Sequence, residues 1–157
     1  LVLRGELDGL PAAAGDALVQ RYRLPQPRLD LGRALLEQGL ARAALDVSDG
    51  LAGDLGHLLE ASGLGAEIDL PAVPVSDTAL QALGLLGAEK QRLLAGGDDY
   101  ELLFAAAPAA RPAIAALAAH LGLALTRIGQ ARRERGLVLR DAAGAEVSLE
   151  QLGWTHF

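Results

Sequence analysis

The chain contains no cysteine and no methionine among its 157 residues. Without cysteine it cannot form disulfides, supply a thiol nucleophile, or hold an iron–sulfur cluster or a cysteine-ligated zinc ion. Its three histidines, at positions 57, 120 and 156, are too scattered for a paired metal motif on one helix, which also argues against a histidine zinc site. Because the chain begins at Leu1 and lacks methionine, we expect it to be a piece of a longer gene product.

Basic residues are also scarce, since 14 Lys and Arg stand against 20 Asp and Glu, a formal net charge of -6. Proteins that bind nucleic acid hold the phosphate backbone with clustered Lys and Arg, so this balance argues against a nucleic-acid partner. The one basic run, at residues 132–135, includes Glu134 and is interpreted as a solvated loop.

Long apolar runs are absent as well. The most apolar stretch, residues 102–125, is interrupted by Pro108, Arg111, Pro112 and His120, so it does not offer the ~20 continuous apolar residues of a membrane span. Charged residues at positions 4, 6 and 8 interrupt any secretory signal at the start. We therefore expect no membrane partner and a cytoplasmic location.

Alternating helical and strand patterns predict an α/β (α+β) fold in one domain, with a sheet covered by helices. Helices are predicted at residues 12–22, 31–38, 51–62, from 76 or 77 onward, 88–95 and 109–121, with Asp30 as the cap of the second helix. Strands are predicted at residues 43–47, 66–70, 100–106, 124–129, 136–140 and 146–149.

The sharpest local signal is Asp-Val-Ser-Asp-Gly-Leu at positions 46–51, where a short strand ends and a helix begins. Strand alternation places Asp46 and Ser48 on one side, and Asp49 opens the following helix. Two carboxylates and a hydroxyl beside a helix N-terminus suit magnesium and the phosphates it carries, with backbone amides receiving phosphate oxygens. The alternative is an Asp or Ser that only caps the helix, with Gly50 allowing the turn.

A second signal is Gly-Gly-Asp-Asp-Tyr-Glu at positions 96–101. The two glycines let the backbone approach a neighbour or a ligand closely, and the three acids repel one another unless a cation is nearby. A bound metal or a cationic substrate would relieve that repulsion. The alternative is a glycine turn that enters a strand whose acids only face water.

The helix after the first motif has an apolar face of four leucines, at positions 51, 55, 58 and 59, and Asp54 and His57 are predicted to point elsewhere. Ser48 has no nearby histidine with triad geometry, which argues against a serine hydrolase. Trp154, the single tryptophan, is either core filler or an aromatic wall against a flat ring.

Three segments taken together resemble the C-terminal half of the thiamine-monophosphate kinase family. They are Leu-Asp-Val-Ser-Asp-Gly-Leu at 45–51 with Asp-Leu-Gly-His at 54–57, Gly-Gly-Asp-Asp-Tyr-Glu-Leu at 96–102, and Gly-Trp-Thr-His-Phe at 153–157. Their order and spacing match too, and the resemblance covers the chain from Ala12 onward. It implies a mixed β-sheet with helices packed on one face, the C-terminal domain of the aminoimidazole-ribonucleotide-synthetase-like fold.

The resemblance implies ATP-dependent phosphorylation of thiamine monophosphate to thiamine diphosphate, by direct in-line transfer with magnesium and without a protein nucleophile. Carried over position by position, Asp46 and Asp49 are the implied magnesium ligands and Ser48 is an ATP contact. Asp98 and Trp154 are the implied substrate-binding residues. Asp98 stands where the family more often has Glu, so its shorter side chain must reach the same partner or act through water.

In that family an N-terminal domain supplies most metal ligands, much of the ATP site and the main dimer interface, and nothing in residues 1–157 resembles it. The chain is therefore interpreted as a single C-terminal domain that is inactive alone and belongs to a homodimeric kinase. Two alternatives stay open. One is another ATP-using superfamily member, such as an aminoimidazole-ribonucleotide synthetase or a hydrogenase-maturation protein, and the other is a non-catalytic interaction module.

Overall fold

The computed structural model describes residues 7–148. Within them lie five helices: α1 (Ala12–Arg23), α2 (Leu29–Glu37), α3 (Leu51–Ser62), α4 (Asp77–Leu86) and α5 (Arg111–Leu121). The strands are β1 (Ala41–Asp46), β2 (Gly65–Asp69), β3 (Leu102–Ala106), β4 (Gly129–Arg132), β5 (Gly136–Arg140) and β6 (Glu146–Val147). Short 3-10 segments cover Leu70–Ala72, Lys90–Ala95 and Pro108–Ala110.

Helix ends follow local capping chemistry at several points. The Ser76 hydroxyl accepts a hydrogen bond from the Ala79 N–H and begins α4, as predicted. Helices α3, α4 and α5 each end at a glycine in the left-handed conformation. The cap predicted at Asp30 is wrong, because α2 already begins at Leu29. Asp30 lies in the first turn of α2, where its charge suits the helix dipole.

The strands form two sheets, whereas the sequence pattern predicted one. Strands β1 and β3 make an antiparallel pair with Leu45 opposite Leu103. The second sheet has the order β4-β2-β5-β6, in which β2 is antiparallel to β4 and parallel to β5, and β6 is antiparallel to β5. This second sheet is mixed, as the resemblance implied, and α3 contacts strands of both sheets.

The strand predicted at residues 124–129 is wrong in all but its last residue. Strand β4 begins only at Gly129, which lies opposite Ile68 of β2. Ile128 still lies beside β2, since its carbonyl accepts the Asp69 N–H at 2.8 Å, but Leu123 and Leu125 pack into a separate apolar cluster.

Two apolar clusters form the interior of the described chain. The first lies between α3 and the four-stranded sheet and includes the buried residues Ala52, Leu55, Leu59, Ala66, Ile68 and Leu139. The second is centred on Leu31, Leu35 and Leu117, between α2, α5 and the β1–β3 pair. On the other face of the four-stranded sheet, Glu67 pairs with Arg140 at 3.3 Å, so helix α3 covers only the apolar face.

Two minor predictions concern the surface. The solvated loop predicted at residues 132–135 is confirmed for the exposed bend at residues 133–135 but not for Arg132, which ends β4 and has a buried Nε. His57 is exposed on α3, as expected for a surface histidine. No helix in residues 7–148 has both the length and the apolar character needed to cross a membrane.

Candidate functional site

The two acidic motifs, far apart in the sequence, lie against each other. The Asp98 N–H donates to the Ser48 carbonyl at 2.8 Å, and the Tyr100 N–H donates to the Val47 carbonyl at 2.8 Å. The Val47 N–H donates in return to the Glu101 carbonyl at 2.8 Å. These bonds continue the β1–β3 pairing past the ends of both strands. The turn after β1 and the turn before β3 therefore form one surface.

Glycine is required where these turns touch. A Cβ on Gly97 would lie 2.3 Å from the Ser48 carbonyl oxygen, so a larger residue would displace the turn at Ser48 and Asp49. Gly50 has φ of 110°, and a Cβ there would lie 3.0 Å from the Gly96 carbonyl oxygen. The expectation that these glycines allow a close backbone approach is confirmed, and the neighbour is the other motif.

The second motif contains two strained residues. Asp98 and Tyr100 have φ values of 67° and 50°, in the left-handed region that side chains disfavour. Their side chains approach each other, with the Tyr100 hydroxyl 3.3 Å from Asp98 Oδ1. Strain of this kind costs on the order of 1 kcal/mol per residue and clusters at binding and catalytic sites. It marks residues 98–100 as a candidate site on grounds separate from their charge.

Asp54 is the residue that the sequence analysis missed. Its side chain is buried, with only 4% of the residue exposed, and among residues 7–148 no other charged residue is buried to this degree. Its Oδ2 accepts hydrogen bonds from the Ser48 N–H at 2.9 Å and the Asp49 N–H at 3.0 Å. The prediction that Asp54 lies off the apolar face of α3 did not include this burial, which the turn at Ser48 and Asp49 causes. The amides of Ser48 and Asp49 donate to Asp54, so a phosphate oxygen would have to be received by amides at the start of α3, and that expectation stays a prediction.

Glu101 joins the second motif to the start of the chain. The Arg28 guanidinium donates a bidentate pair of hydrogen bonds to the Glu101 carboxylate, from Nε to Oε2 at 2.8 Å and from Nη2 to Oε1 at 2.8 Å. Arg21 also pairs with Glu101. The hydrogen bond to Glu101 raises the pKa of Arg28 above its ordinary value. Glu101, the residue before β3, therefore fixes the segment between α1 and α2 beside the site.

The electrostatics of residues 98–101 follow from crowded negative charge. Asp99 keeps an exposed surface, but withdrawal of its carboxyl group from water raises its pKa to about 6, helped by the charges of Glu101 and Asp98 and opposed by Arg21. The charge of Asp98 and its hydrogen bond raise the pKa of the Tyr100 hydroxyl. A cation bound beside this loop would lower both pKa values.

Four of the five predicted site residues come together in the structure. Asp46 ends β1 and is exposed, Ser48 and Asp49 are half-buried in the turn that follows, and Asp98 is exposed beside that turn. The fifth, Trp154, lies outside the described residues. The binding roles of all five stay predictions.

The carboxylates of the site suit magnesium only in part. Within residues 7–148, no group of three or more His, Asp or Glu side chains is arranged to hold a metal ion. Asp46 and Asp49 are hard oxygen donors, and Mg²⁺ is commonly held by one or two carboxylates together with water and substrate phosphates. This donor set fits magnesium that arrives with a nucleotide, not a cation held by the described residues alone.

A cavity of about 470 Å³ lies elsewhere, on the polar face of the four-stranded sheet. Its lining includes Glu67, Asp69, Arg127 and Arg140, and none of the motif residues. Arg127 donates to the Gly129 carbonyl and Arg140 to the Glu67 carboxylate, so both guanidinium groups are already engaged. We therefore place the candidate site at the two motif turns.

Comparison with known proteins identifies relatives of the whole chain. Residues 4–142 match the family of AIR synthase related proteins, C-terminal domain. The thiamine-monophosphate kinase of Escherichia coli strain K12 is 40% identical over 161 residues, a match that covers 99% of this chain and 47% of the relative. The chain thus spans about half the length of the curated relatives it matches.

Solved structures support the same relationship. The thiamine-monophosphate kinase from Stenotrophomonas maltophilia K279a has a TM-score of 0.77 and 39% identity, covering 87% of this chain and 43% of that chain. AaThiL complexed with AMPPCP and TMP has a TM-score of 0.76 and 31% identity, covering 99% of this chain and 46% of that chain. The predicted fold class and the resemblance drawn from the three segments are both confirmed.

Proposed function

This chain belongs to the family of AIR synthase related proteins, C-terminal domain, and from that membership we propose that it is the C-terminal part of a thiamine-monophosphate kinase. The complete protein would transfer the terminal phosphoryl group of ATP to thiamine monophosphate, giving thiamine diphosphate and ADP. The proposal is supported by the 40% identity that the chain shares with such a kinase over almost its whole length. The other superfamily activities are not favoured.

One observation of this structure supports the proposal most directly. The hydrogen bond from the Asp98 N–H to the Ser48 carbonyl, at 2.8 Å, puts the two acidic motifs side by side. A phosphoryl transfer between two anionic substrates requires groups for the donor and for the acceptor within reach of each other. The pairing of β1 with β3 brings the acidic side chains of both motifs to one surface, as a site shared by two anionic substrates requires.

The proposed roles divide the site between its two turns. Asp46 and Asp49 supply carboxylates for magnesium, Ser48 contacts ATP, and Asp98 and Trp154 contact thiamine monophosphate. Bound magnesium would neutralise the phosphates and align them for displacement. An oxygen of the acceptor phosphate attacks the γ-phosphorus directly, and the bond from that phosphorus to the β–γ bridging oxygen breaks. The carboxylates of Asp98 and Asp99 suit the positive charge of a thiazolium ring.

The remaining parts of the proposal concern the complete protein. We infer that an N-terminal domain completes the ATP and metal sites, that the complete kinase is a homodimer, and that it works in the cytoplasm, where ATP is present. The isolated residues 1–157 would then have no kinase activity, because half of a two-domain site cannot orient both reactants.

The test is a kinase assay with ATP, Mg²⁺ and thiamine monophosphate on the native gene product and on residues 1–157 alone. We expect the native product to form thiamine diphosphate and the isolated chain to form none. Asp49→Asn should lower kcat/KM by about 100-fold, the scale of losing one group that stabilises transition-state charge.

The matched control is Asp77→Asn, which removes a carboxylate from the first turn of α4, outside both motifs. It should leave kcat/KM unchanged. A native product that forms no thiamine diphosphate would contradict the proposal and favour a non-catalytic interaction module. An Asp49→Asn variant with full activity would contradict the role proposed for Asp49.

A further inference from the structure

We propose that Asp54 is a positioning residue, which fixes the turn at Ser48 and Asp49 so that this turn can bind magnesium and nucleotide. The inference deepens the proposed function and rests on it. Asp54 itself does not touch the ligand, because it is 4% exposed and lies beneath the turn among the buried residues of α3.

The hydrogen bonds of Asp54 show what it holds. A single oxygen, Oδ2, accepts both the Ser48 N–H at 2.9 Å and the Asp49 N–H at 3.0 Å. Both amides are thereby directed toward the protein interior. The turn would reach a ligand through the half-buried side chains of Ser48 and Asp49.

Helix capping does not explain this arrangement. Helix α3 begins at Leu51 with Gly50 at its N-cap, and no side chain caps it. The two amides that Asp54 accepts belong to residues before that cap, so they are not among the unpaired N–H groups of the helix. Helix α4, by contrast, is capped by the exposed hydroxyl of Ser76.

A buried carboxylate is also a costly way to hold a turn. Removing its charge from water is unfavourable and is offset here by two charge-assisted hydrogen bonds and by the helix dipole. A hydrogen bond holds the turn on its other side as well, where the Asp98 N–H donates to the Ser48 carbonyl at 2.8 Å. Asp54 therefore fixes the turn from within, and the second motif fixes it from outside.

The test compares Asp54→Ala and Asp54→Asn in the native gene product. The Asn side chain keeps an oxygen that accepts the two amides but loses the charge, whereas Ala removes the acceptor. The matched control, Asp77→Ala, removes a first-turn carboxylate from α4. Three properties are measured: hydrogen exchange at the Ser48 and Asp49 amides, the Kd for ATP with Mg²⁺, and kcat and KM for the kinase reaction.

We expect Asp54→Ala to speed hydrogen exchange at the Ser48 and Asp49 amides, since a buried hydrogen-bond acceptor is lost. The Kd for ATP with Mg²⁺ and the KM for ATP should each rise by about tenfold. Asp54→Asn should restore both values to within about threefold of the wild type. The control should change neither. If Asp54→Ala does not fold, Asp54→Ser takes its place, because the Ser side chain is shorter than that of Asp and carries a single oxygen.

A purely structural role would lower the melting temperature of Asp54→Ala while the folded protein kept its Kd and KM, and that result would overturn the proposal. Failure of Asp54→Asn to rescue binding, with both amides still protected, would also overturn it by assigning Asp54 a direct ligand contact. A wild-type protein that binds ATP with Mg²⁺ but forms no thiamine diphosphate refutes the proposed function alone. A wild-type protein that neither binds ATP with Mg²⁺ nor forms thiamine diphosphate overturns both the proposed function and the role of Asp54.

Discussion

Asp99 lies between Asp98 and Tyr100, two residues before Glu101, and shares its surroundings with the positively charged Arg21. Partial burial and the neighbouring negative charges raise its pKa to about 6, so it holds its proton in the folded state at a pH where an unfolded chain has released it. Protonation of Asp99 therefore favours folding below its unfolded pKa. This stabilisation is lost as the pH rises through the folded pKa.

We expect Asp99→Asn to leave stability nearly unchanged below about pH 4 and to increase it above about pH 6, because Asn resembles the protonated acid. Urea unfolding of both proteins from pH 4 to 7.5 measures the difference in the free energy of unfolding. The same series on Asp77→Asn serves as the control and should show no such trend. A difference that is constant across this range would contradict the raised pKa.

The sequence predicts which residue types form the site, but it does not predict which of them contact one another. Asp46, Ser48, Asp49 and Asp98 stand out in the sequence because oxygen donors cluster beside glycines. Asp54 does not, since helical spacing alone places it off the leucine face. Its burial depends on the path of the preceding turn, which folds back over α3 and brings two amides to the carboxylate.

At the scale of elements, the ion pairs of Glu101 connect β3 to α1 and to the segment before α2. Both arginines and the carboxylate are partly exposed, which limits the strength of the pairs, but the two-pronged geometry of Arg28 favours them. The contact links residues 73 and 80 positions apart in the chain.

We expect Glu101→Gln to lower the free energy of unfolding by about 1 kcal/mol and to loosen the segment between α1 and α2. Denaturant unfolding at low and high salt measures the loss, which should shrink at high salt as the wild-type pairs are screened. Glu37→Gln is the matched control, since Glu37 pairs with Arg33 at 3.6 Å on an exposed helix face. It should cost less than half as much, and equal losses would argue against a special role for Glu101.

Elements with strong local signals were predicted well. The pattern at 136–140 coincides with β5, and the helix predicted at residues 51–62 matches α3. The strand predicted at 124–129 failed because alternation shows that two leucines need burial but not which cluster buries them. The division into two sheets was equally hidden, since pairing partners are set by topology and not by strand propensity.

At the scale of the whole molecule, the site lies where the two sheets meet α3. The turn after β1 contacts the β1–β3 pair through Val47 and reaches α3 through Asp54. The 3-10 segment Lys90–Ala95 adds Leu94 to the core beneath α3. A ligand bound at this turn would therefore stabilise both parts of the interior.

We expect ATP with Mg²⁺ to raise the melting temperature of the native gene product, because a ligand at 100 times its Kd stabilises the folded state by about 2.7 kcal/mol. Asp46→Asn and Asp49→Asn should each abolish most of the shift. Asp69→Asn, in the cavity on the polar sheet face, should keep it. Loss of the shift in Asp69→Asn alone would move the nucleotide site to that cavity.

Local periodicity, turn chemistry and composition were enough to predict the fold class, the main helices and strands, and the residue types of the site. The contact between the two motifs, the bonds of Asp54 to the first turn and the pairing of Glu101 with Arg21 and Arg28 became visible only in the folded chain. Those contacts connect residues distant in the chain or close a turn back on its helix. They form only when burial of the two apolar clusters sets the path of the backbone.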